Sequence, residues 1–227
     1  MRALALFVPV LWALFLAVSA WGQTTYPYGC EPDRALRPRY FEEYEPDPLR
    51  CGLVDFRYGS FDSLIVFDDT QFDDEALFTR AFFHSGARFF RAKFDSTAVF
   101  AGARFDSTAN FTEVRFEDQA EFSRAEFYQD AVFGYTEFSG FANFYYAVFG
   151  HTADFRFARF RGEIDFWYVI LPEYLNFWGA SFTEEIDLTH ARPPNWQSRF
   201  SRSKKQGPKK SKIILYGADI SKIRINL

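Results

Sequence analysis

Phenylalanine recurs at a fixed interval through most of the chain. One column of apolar residues steps by eleven without a break and contains Phe56, Phe67, Phe78, Phe89, Phe100, Phe111, Phe122, Phe133, Phe144, Phe155, Phe166, Phe177 and Leu188. A second column lies five residues further on and contains Phe61, Phe72, Phe83, Phe94, Phe105, Phe116, Phe127, Phe138, Phe149, Phe160, Leu171 and Phe182. Self-similarity at a short fixed period is typical of architectures in which each unit packs against its neighbours. The sequence therefore predicts a solenoid.

The unit of the repeat favours strands over helix. In the block 87–97, which reads ARFFRAKFDST, apolar residues occupy relative positions 0, 2, 5 and 7. An eleven-residue period also occurs in right-handed coiled coils. At about 100° per residue, however, these four positions are spread around a helix and form no stripe. On extended backbone, positions 0 and 2 share one face, and so do 5 and 7. The pattern predicts short strands separated by polar turns.

The pattern A-x-F-x-x-A-x-F resembles that of the pentapeptide-repeat proteins, whose unit has a small residue two positions before a central Leu or Phe. Ala87, Phe89, Ala92 and Phe94 carry it in one unit, and the resemblance covers about residues 54–188. It implies a right-handed, four-sided parallel β-helix. Because steps of five and six residues alternate, each coil would hold about 22 residues. The expected fold class is all-β, a right-handed parallel quadrilateral β-helix.

The phenylalanines are expected to fill the core of this β-helix. Coils would stack at about 4.8 Å, the spacing between paired strands, so that residues 22 apart lie above one another. Alanine at the companion position leaves volume for the rings. Towards the C-terminal end, larger residues replace alanine at the companion position, namely Ile164, Leu175 and Ile186, and Leu171 replaces a phenylalanine. Such an exchange of volume within a packed core is well tolerated.

Residues 1–20 have the pattern of a secretory signal peptide. Arg2 precedes an apolar run to Ala17, and the small residues Val18-Ser19-Ala20 follow. An uncleaved membrane anchor is the alternative, since the run is near the lower limit for spanning a bilayer. We expect an exported protein, periplasmic or secreted.

Residues 21–53 are rich in proline and charge and contain both cysteines, Cys30 and Cys51. In an exported chain, two cysteines predict a disulfide, and closing a loop of this size would contribute roughly 3 kcal/mol. A reactive thiol pair is the weaker alternative because no C-x-x-C arrangement is present. A solenoid needs its open end covered. We therefore expect an N-terminal cap pinned by this disulfide.

Charge is distributed unequally along the chain. The expected solenoid, 54–189, is acidic: residues 54–188 contain 23 Asp and Glu against 11 Lys and Arg, a net charge of −12, whereas residues 189–227 carry +9. Residues 190–212 read as an exposed basic loop, with a basic patch at Lys204, Lys205, Lys209, Lys210 and Lys212. Residues 213–227 return to solenoid-like strands, which either pack within the chain or form an end-to-end homodimer.

Nothing in the sequence indicates catalysis, a metal site or a cofactor. The three histidines, His84, His151 and His190, are not neighbours in the repeat register, and the first two fall at turns. No glycine-rich phosphate loop, metal-type Cys/His spacing or nucleophile motif is present. Scattered carboxylates on turns keep a phenylalanine-filled rod soluble. We expect no enzyme activity.

Aromatic residues gather on the later turns. Tyr145, Tyr146, Trp167 and Tyr168 follow column residues directly, and a 22-residue coil would place Trp167 over Tyr145 and Tyr168 over Tyr146. Exposed aromatic patches often mark interaction sites, so these four residues form the candidate binding patch. The alternative is a surface ladder that only stabilises the fold.

The sequence therefore suggests an exported, non-enzymatic scaffold or protein-interaction surface. One alternative, implied by the resemblance, is an inhibitor of a DNA-handling enzyme that acts by mimicking DNA, as some pentapeptide-repeat proteins do; the net charge of −12 would suit such mimicry. Another is a carbohydrate-binding module that uses the aromatic patch. The expected partner is a protein, with a polysaccharide or an anionic surface as further candidates, and nucleic acid is not expected.

Overall fold

The chain forms a right-handed parallel β-solenoid with about 22 residues per turn, as predicted. The computed structural model describes residues 30–32, 49–193 and 211–225. Strands of two or three residues lie on four faces, and most strands pair in parallel with the strands one coil before and one coil after them. Right-handed winding is the rule for parallel strands joined by crossovers.

The four faces are numbered in the order in which the chain reaches them, starting from Val54. Face 1 carries β3 (Val54–Asp55), β7 (Ala76–Leu77), β11 (Ala98–Val99), β15 (Ala120–Glu121), β19 (Ala142–Asn143), β23 (Ile164–Asp165), β26 (Ile186–Asp187) and β28 (Ile223–Arg224). Face 2 carries β4 (Ser60–Phe61), β8 (Phe82–Phe83), β12 (Arg104–Phe105), β16 (Glu126–Phe127) and β20 (Val148–Phe149), and single bridges extend it through Ile170 to Arg192.

The other two faces complete each coil. Face 3 carries β5 (Ile65–Val66), β9 (Ala87–Arg88), β13 (Ala109–Asn110), β17 (Ala131–Val132), β21 (Thr152–Asp154), β24 (Tyr174–Asn176) and β27 (Lys212–Ile214). Face 4 carries β1 (Cys30–Pro32), β2 (Leu49–Cys51), β6 (Gln71–Phe72), β10 (Lys93–Phe94), β14 (Arg115–Phe116), β18 (Glu137–Phe138), β22 (Arg159–Phe160) and β25 (Ser181–Phe182).

The phenylalanine columns become four stacked ladders inside the solenoid. Phe100 and Phe122, one coil apart, have ring centroids 4.9 Å apart and planes 3° from parallel. Neighbouring ladders meet edge-on, as where Phe111 and Phe122 cross at 85°. Offset stacking and edge contacts are the favourable geometries for aromatic pairs. The predicted core role of phenylalanine is confirmed, and the alanines that precede these rings are fully buried beside them.

The turns after first-column phenylalanines place one residue in the left-handed region. Each is closed by a bond such as Ala125 N–H to Phe122 O, at 3.0 Å. At ten of these turns the third residue is not glycine, and its φ lies between 54° and 60°. A positive φ at this position is the feature of a type II turn. It directs the N–H of Arg124 to Tyr145 O in the next coil, at 2.8 Å. The turns, like the strands, are therefore hydrogen-bonded to the neighbouring coil.

At the N-terminal end, the first coil begins earlier than the sequence indicated. β2 already pairs in parallel with β6, and Cys51 takes the place of a column residue beneath Phe72. β1 runs antiparallel to β2 and places Cys30 opposite Cys51. The rest of the predicted cap, residues 21–29 and 33–48, lies outside the described residues, as does the predicted signal peptide at 1–20.

At the C-terminal end, the solenoid resumes after the basic segment. β27 pairs with β24 through Leu175 and Ile213, 38 residues apart, so the segment adds 16 residues to a 22-residue coil. The chain then forms a 3-10 helix (Ile220–Lys222) and β28, which pairs with β26. Ile220, which steps in the sequence like a core residue, is instead exposed. Across the described ranges, no helix has the length and apolar character that a membrane crossing requires.

Candidate functional site

The four residues of the candidate patch lie together on one corner of the solenoid. This Tyr145 corner joins face 1 to face 2 and consists of the turn pairs 57–58, 79–80, 101–102, 123–124, 145–146, 167–168 and 189–190. Tyr168 stacks on Tyr146 with ring centroids 4.9 Å apart, as the register predicts. Tyr145 meets Tyr146 edge-on at 4.6 Å. The patch is therefore one continuous aromatic cluster.

Trp167 is oriented differently from the expectation that it would stack over Tyr145. Its ring stacks on His190, one coil further on, at 4.7 Å, and meets Tyr168 edge-on at 6.2 Å. Arg192 lies over the ring of Tyr168 at 5.7 Å, within the range of a cation–π contact. His190 and Arg192 therefore belong to the cluster. The 22-residue register places His190 one coil beyond Tyr168 and could have identified it, whereas the contact of Arg192 depends on the fold.

Polar side chains on face 1 hold the aromatic turns in place. Asn143 Oδ1 accepts the N–H of Tyr145 at 2.9 Å, and Asp165 Oδ1 accepts the N–H of Trp167 at 2.7 Å. Asn143 also donates from Nδ2 to Glu121 Oε2 one coil below, at 2.8 Å. These bonds satisfy amides that the turn leaves free. The main chain beneath the aromatic cluster is therefore held by hydrogen bonds from face 1.

A shallow pocket of about 330 Å³ opens beside the cluster on face 2. It is lined by Arg124, Glu126, Tyr146 and Val148. Arg124 has no carboxylate within ion-pair distance among the described residues, whereas Arg88 and Arg91 in the earlier coils pair with Asp68 and Asp69. The pocket therefore combines a tyrosine ring, an apolar wall, and a cationic and an anionic side chain that do not form an ion pair with each other.

The structure also places a second aromatic ladder on the diagonally opposite corner. This Tyr135 corner joins face 3 to face 4, and its ladder contains Tyr135, Phe157, Trp178 and Tyr216, all exposed. Tyr135 and Phe157 stack at 4.9 Å, while Trp178 approaches Phe157 at 5.8 Å and Tyr216 at 6.1 Å. The sequence pattern did not predict that these four residues form one ladder. Trp178 is the first residue of its turn pair, whereas Phe157 is the second residue of its own. The 16 residues inserted before β27 also remove the 22-residue spacing that would have related Tyr216 to Trp178.

Comparison with known proteins supports the same assignment. The model of the family described as pentapeptide repeats (9 copies) matches residues 67–115, 111–156 and 144–192, which together span more than half of the chain. This chain belongs to the pentapeptide-repeat family. No curated protein and no solved structure gives a significant match to it. Members of the family are generally non-enzymatic.

The titratable groups of this pentapeptide-repeat solenoid lie mostly in ion pairs on its surface. His84 Nδ1 lies 2.9 Å from Asp106, and His151 Nδ1 lies 2.7 Å from Asp130. Burial and the neighbouring charge of Glu126 raise the pKa of Tyr128 to about 12, so that this phenol stays protonated. Within the described ranges, no group of three or more His, Cys, Asp or Glu is placed to hold a metal ion.

Asp106 provides a pH-dependent prediction. Burial alone would raise the pKa of this carboxyl group, but hydrogen bonds from Arg104 and His84 outweigh burial and hold the pKa below its ordinary value of 3.8. A carboxyl group whose pKa is lowered by folding stabilises the folded state above its unfolded pKa, and this contribution is lost as pH falls through the folded pKa. We expect Asp106→Asn to reduce the free energy of unfolding at neutral pH by about 1 kcal/mol or less.

Denaturant unfolding at several pH values would check this expectation. The difference between Asp106→Asn and the parent protein should shrink as pH falls below about 3.8 and vanish once the carboxyl group is protonated in both states. Arg57 and Asp55 form a comparable ion pair elsewhere on the surface. Asp55→Asn removes this pair and therefore serves as the matched variant. A difference for Asp106→Asn that stayed constant down to the most acidic pH would contradict the assigned role of the carboxylate.

The remaining predicted site residues are placed as follows. Cys51 is fully buried and disulfide-bonded, and the backbone register sets Cys30 opposite it. Lys212 is the first residue of β27 and is exposed. The other members of the basic patch, Lys204, Lys205, Lys209 and Lys210, lie outside the described residues.

Proposed function

We propose that this pentapeptide-repeat protein is an exported, non-enzymatic scaffold that binds a protein partner through the Tyr145 corner. One observation carries the proposal: large aromatic side chains are exposed on turns whose backbone N–H groups are hydrogen-bonded within the solenoid. Tyr146 is 39% and Trp167 43% exposed, while their turns are bonded to face 1 and to the next coil. A surface that is ordered before binding loses little entropy on association, and tyrosine and tryptophan are enriched in protein interfaces.

The ring geometry favours a protein over a sugar. A sugar ring stacks on an open aromatic face, but Tyr146 and Tyr168 each lose one face to the other, Arg192 lies over Tyr168, and Trp167 loses one face to His190, so the patch has fewer open faces than its four rings suggest. The exposed ring edges, with Arg124 and the pocket beside them, suit the side chains of a protein partner. A carbohydrate-binding module therefore remains the alternative with less support.

Mimicry of DNA also has less support than a protein-binding scaffold. A DNA mimic needs an uninterrupted negative surface, yet arginines of the solenoid interleave with its carboxylates, as in the pair Arg88–Asp68 and the pair Arg156–Asp154. The +9 charge of residues 189–227 further reduces the match. An end-to-end homodimer through the C-terminal strands stays a prediction that sedimentation would test.

Export rests on the N-terminal sequence and on the cysteines. A signal peptide ending at Ala20 would deliver the chain to a compartment in which Cys30 and Cys51 can form a disulfide. Intact mass of the protein isolated from the exported fraction should correspond to a chain starting at Trp21 and two hydrogens lighter than the reduced form. A full-length, reduced protein in the cytosol would contradict export.

Photo-crosslinking in the producing cells would test the binding corner. Benzoylphenylalanine at position 167 should give one discrete protein adduct in the exported fraction. The same residue at position 58, which is also an exposed aromatic site on this corner, is the matched control and should give none. Tyr146→Ala should abolish the adduct while leaving the unfolding transition unchanged. The absence of a protein adduct from position 167, or polysaccharide as the crosslinked species, would overturn the proposal.

A further inference from the structure

The most exposed apolar side chains of the C-terminal half gather on the Tyr135 corner and the last coil. Tyr216 is 78% and Ile220 65% exposed. They continue the ladder formed by Tyr135, Phe157 and Trp178, since Tyr216 meets Trp178 at 6.1 Å. We call these five residues the C-terminal aromatic edge. It extends over four coils, about 14 Å along the axis at the usual strand spacing, and soluble proteins rarely expose such contiguous apolar surface without a function.

The core of the last coil is only partly covered. Ile213, Leu215, Ile223 and Ile225 pack against the core but stay half-buried, whereas Leu175, one coil below Ile213, is fully buried. These half-buried side chains lie in the same coil as Tyr216 and Ile220 and adjoin the C-terminal aromatic edge.

Positive charge accompanies this surface. Among the described residues of the last coil, 211–225, Lys212, Lys222 and Arg224 accompany a single carboxylate, Asp219, whereas residues 54–188 carry a net charge of −12. Lys212 on the last coil of face 3 and Arg159 beside the ladder on face 4 have no carboxylate within ion-pair distance among the described residues. Lys222 follows Ile220 closely and uses its Nζ to bond the carbonyl of Thr183. Exposed apolar groups and cations are thus interleaved at one end of an otherwise acidic rod.

We propose that the C-terminal aromatic edge and the last coil dock onto an anionic lipid bilayer. Tyrosine and tryptophan settle at the boundary between headgroups and acyl chains because their rings are apolar at one end and polar at the other. Ile220 and the half-buried end of the core would lie on the apolar side of that boundary. Lys212 and Lys222 would lie among the phosphates, where each lysine contributes a favourable interaction with anionic lipid. Because the edge runs along the axis, the rod would lie with its Tyr135 corner on the bilayer, and the diagonally opposite Tyr145 corner would face water.

A lipid surface fits these features better than the other occupants. In an end-to-end dimer, Lys212 and Lys222 of the two copies would be brought together and repel, and the ladder from Tyr135 to Trp178, which runs along the side of the rod, would stay in water. A soluble polyanion would satisfy the lysines but would leave Ile220 and Tyr216 in water, whereas binding to a bilayer combines apolar burial with charge attraction. This inference goes beyond the scaffold function, because the edge lies diagonally opposite the Tyr145 corner and leaves that corner free for a protein partner.

Co-flotation of the exported protein with vesicles would test the proposal. Vesicles of phosphatidylcholine mixed with phosphatidylglycerol should bind the protein, vesicles of phosphatidylcholine alone should bind it weakly, and added salt should reduce the binding. The double variant Tyr216→Ser, Ile220→Ser should lower the partition coefficient by about tenfold or more, since two apolar side chains no longer leave water. The double variant Lys212→Gln, Lys222→Gln should lower it by about fivefold for each charge removed.

The chain offers a matched control at its other end. Leu53 and Tyr58 are 60% and 64% exposed, so the variant Leu53→Ser, Tyr58→Ser removes the same kinds of side chain from the N-terminal coil and should bind vesicles like the parent. Any contribution from residues 1–20 is common to all variants. The proposal is overturned if the parent does not bind phosphatidylglycerol vesicles at low salt or if the control loses as much binding as the Tyr216 variant. Sedimentation showing a dimer that Tyr216→Ser, Ile220→Ser dissociates, without vesicle binding, would instead assign the edge to a second copy.

Discussion

Phe122→Ala is expected to reduce the free energy of unfolding by roughly 3–5 kcal/mol. Phe122 is fully buried at the middle of the solenoid. Its ring stacks on Phe100 at 4.9 Å and on Phe144 at 5.1 Å. Removing it would leave a cavity between coils whose backbones are bonded to each other on both sides, so collapse around the cavity would be limited. Chemical denaturation monitored by circular dichroism would measure the change.

Phe82→Ala is the matched control. Phe82 has the same side chain but points outward from face 2 and is exposed, so its truncation should change the free energy of unfolding by about 0.5 kcal/mol or less. Equal effects of the two substitutions would mean that the assignment of inward and outward positions is wrong. A decrease in the free energy of unfolding for Phe122→Ala alone would support a continuous core. A broadened unfolding transition would show that the coils on either side of Phe122 unfold separately.

The sequence was sufficient to predict the core and the coil length. Inward positions alternate with outward ones on every strand, and each inward position must be filled in every coil, so the requirement for burial repeats with the same period as the chain. This is why the columns through Phe100 and Phe105 could be assigned without coordinates. It is also why Tyr146 and Tyr168 could be placed one above the other, since residues 22 apart occupy equivalent sites.

The turns and the second aromatic ladder could not be predicted in the same way. A positive φ usually indicates glycine, but here Arg124 and Tyr135 adopt it because hydrogen bonds from their N–H groups to the next coil stabilise the turn. The orientation of Trp167 depends on His190, and the proximity of Tyr216 to Trp178 depends on where the chain re-enters after the inserted segment. These features arise from contacts between coils, which a one-dimensional period does not encode.

Gly150→Ala is the second substitution expected to have a large effect, about 2–3 kcal/mol of destabilisation, at the upper end of the usual cost of overpacking. Gly150 follows Phe149 directly and donates its N–H to Phe127 O at 2.7 Å. A Cβ at this position would lie 2.6 Å from Tyr128 O and 2.9 Å from Phe127 O. Both atoms belong to the backbone of the coil below, so relief of the clash would require the two coils to separate and would weaken the hydrogen bonds between them.

Gly134→Ala distinguishes this steric effect from a general preference for glycine in turns. A Cβ on Gly134 would come no closer than 3.8 Å to its nearest neighbours, in Arg156. Its φ is not in the left-handed region, so alanine should be tolerated there and could stabilise the protein by about 0.4–1 kcal/mol through the lower entropy of the unfolded chain. Urea unfolding of both variants would separate the cases. If Gly150→Ala were as stable as Gly134→Ala, the coils would not be in the close contact that holds the two aromatic corners in register, and the rigidity assigned to the Tyr145 corner would have to be abandoned.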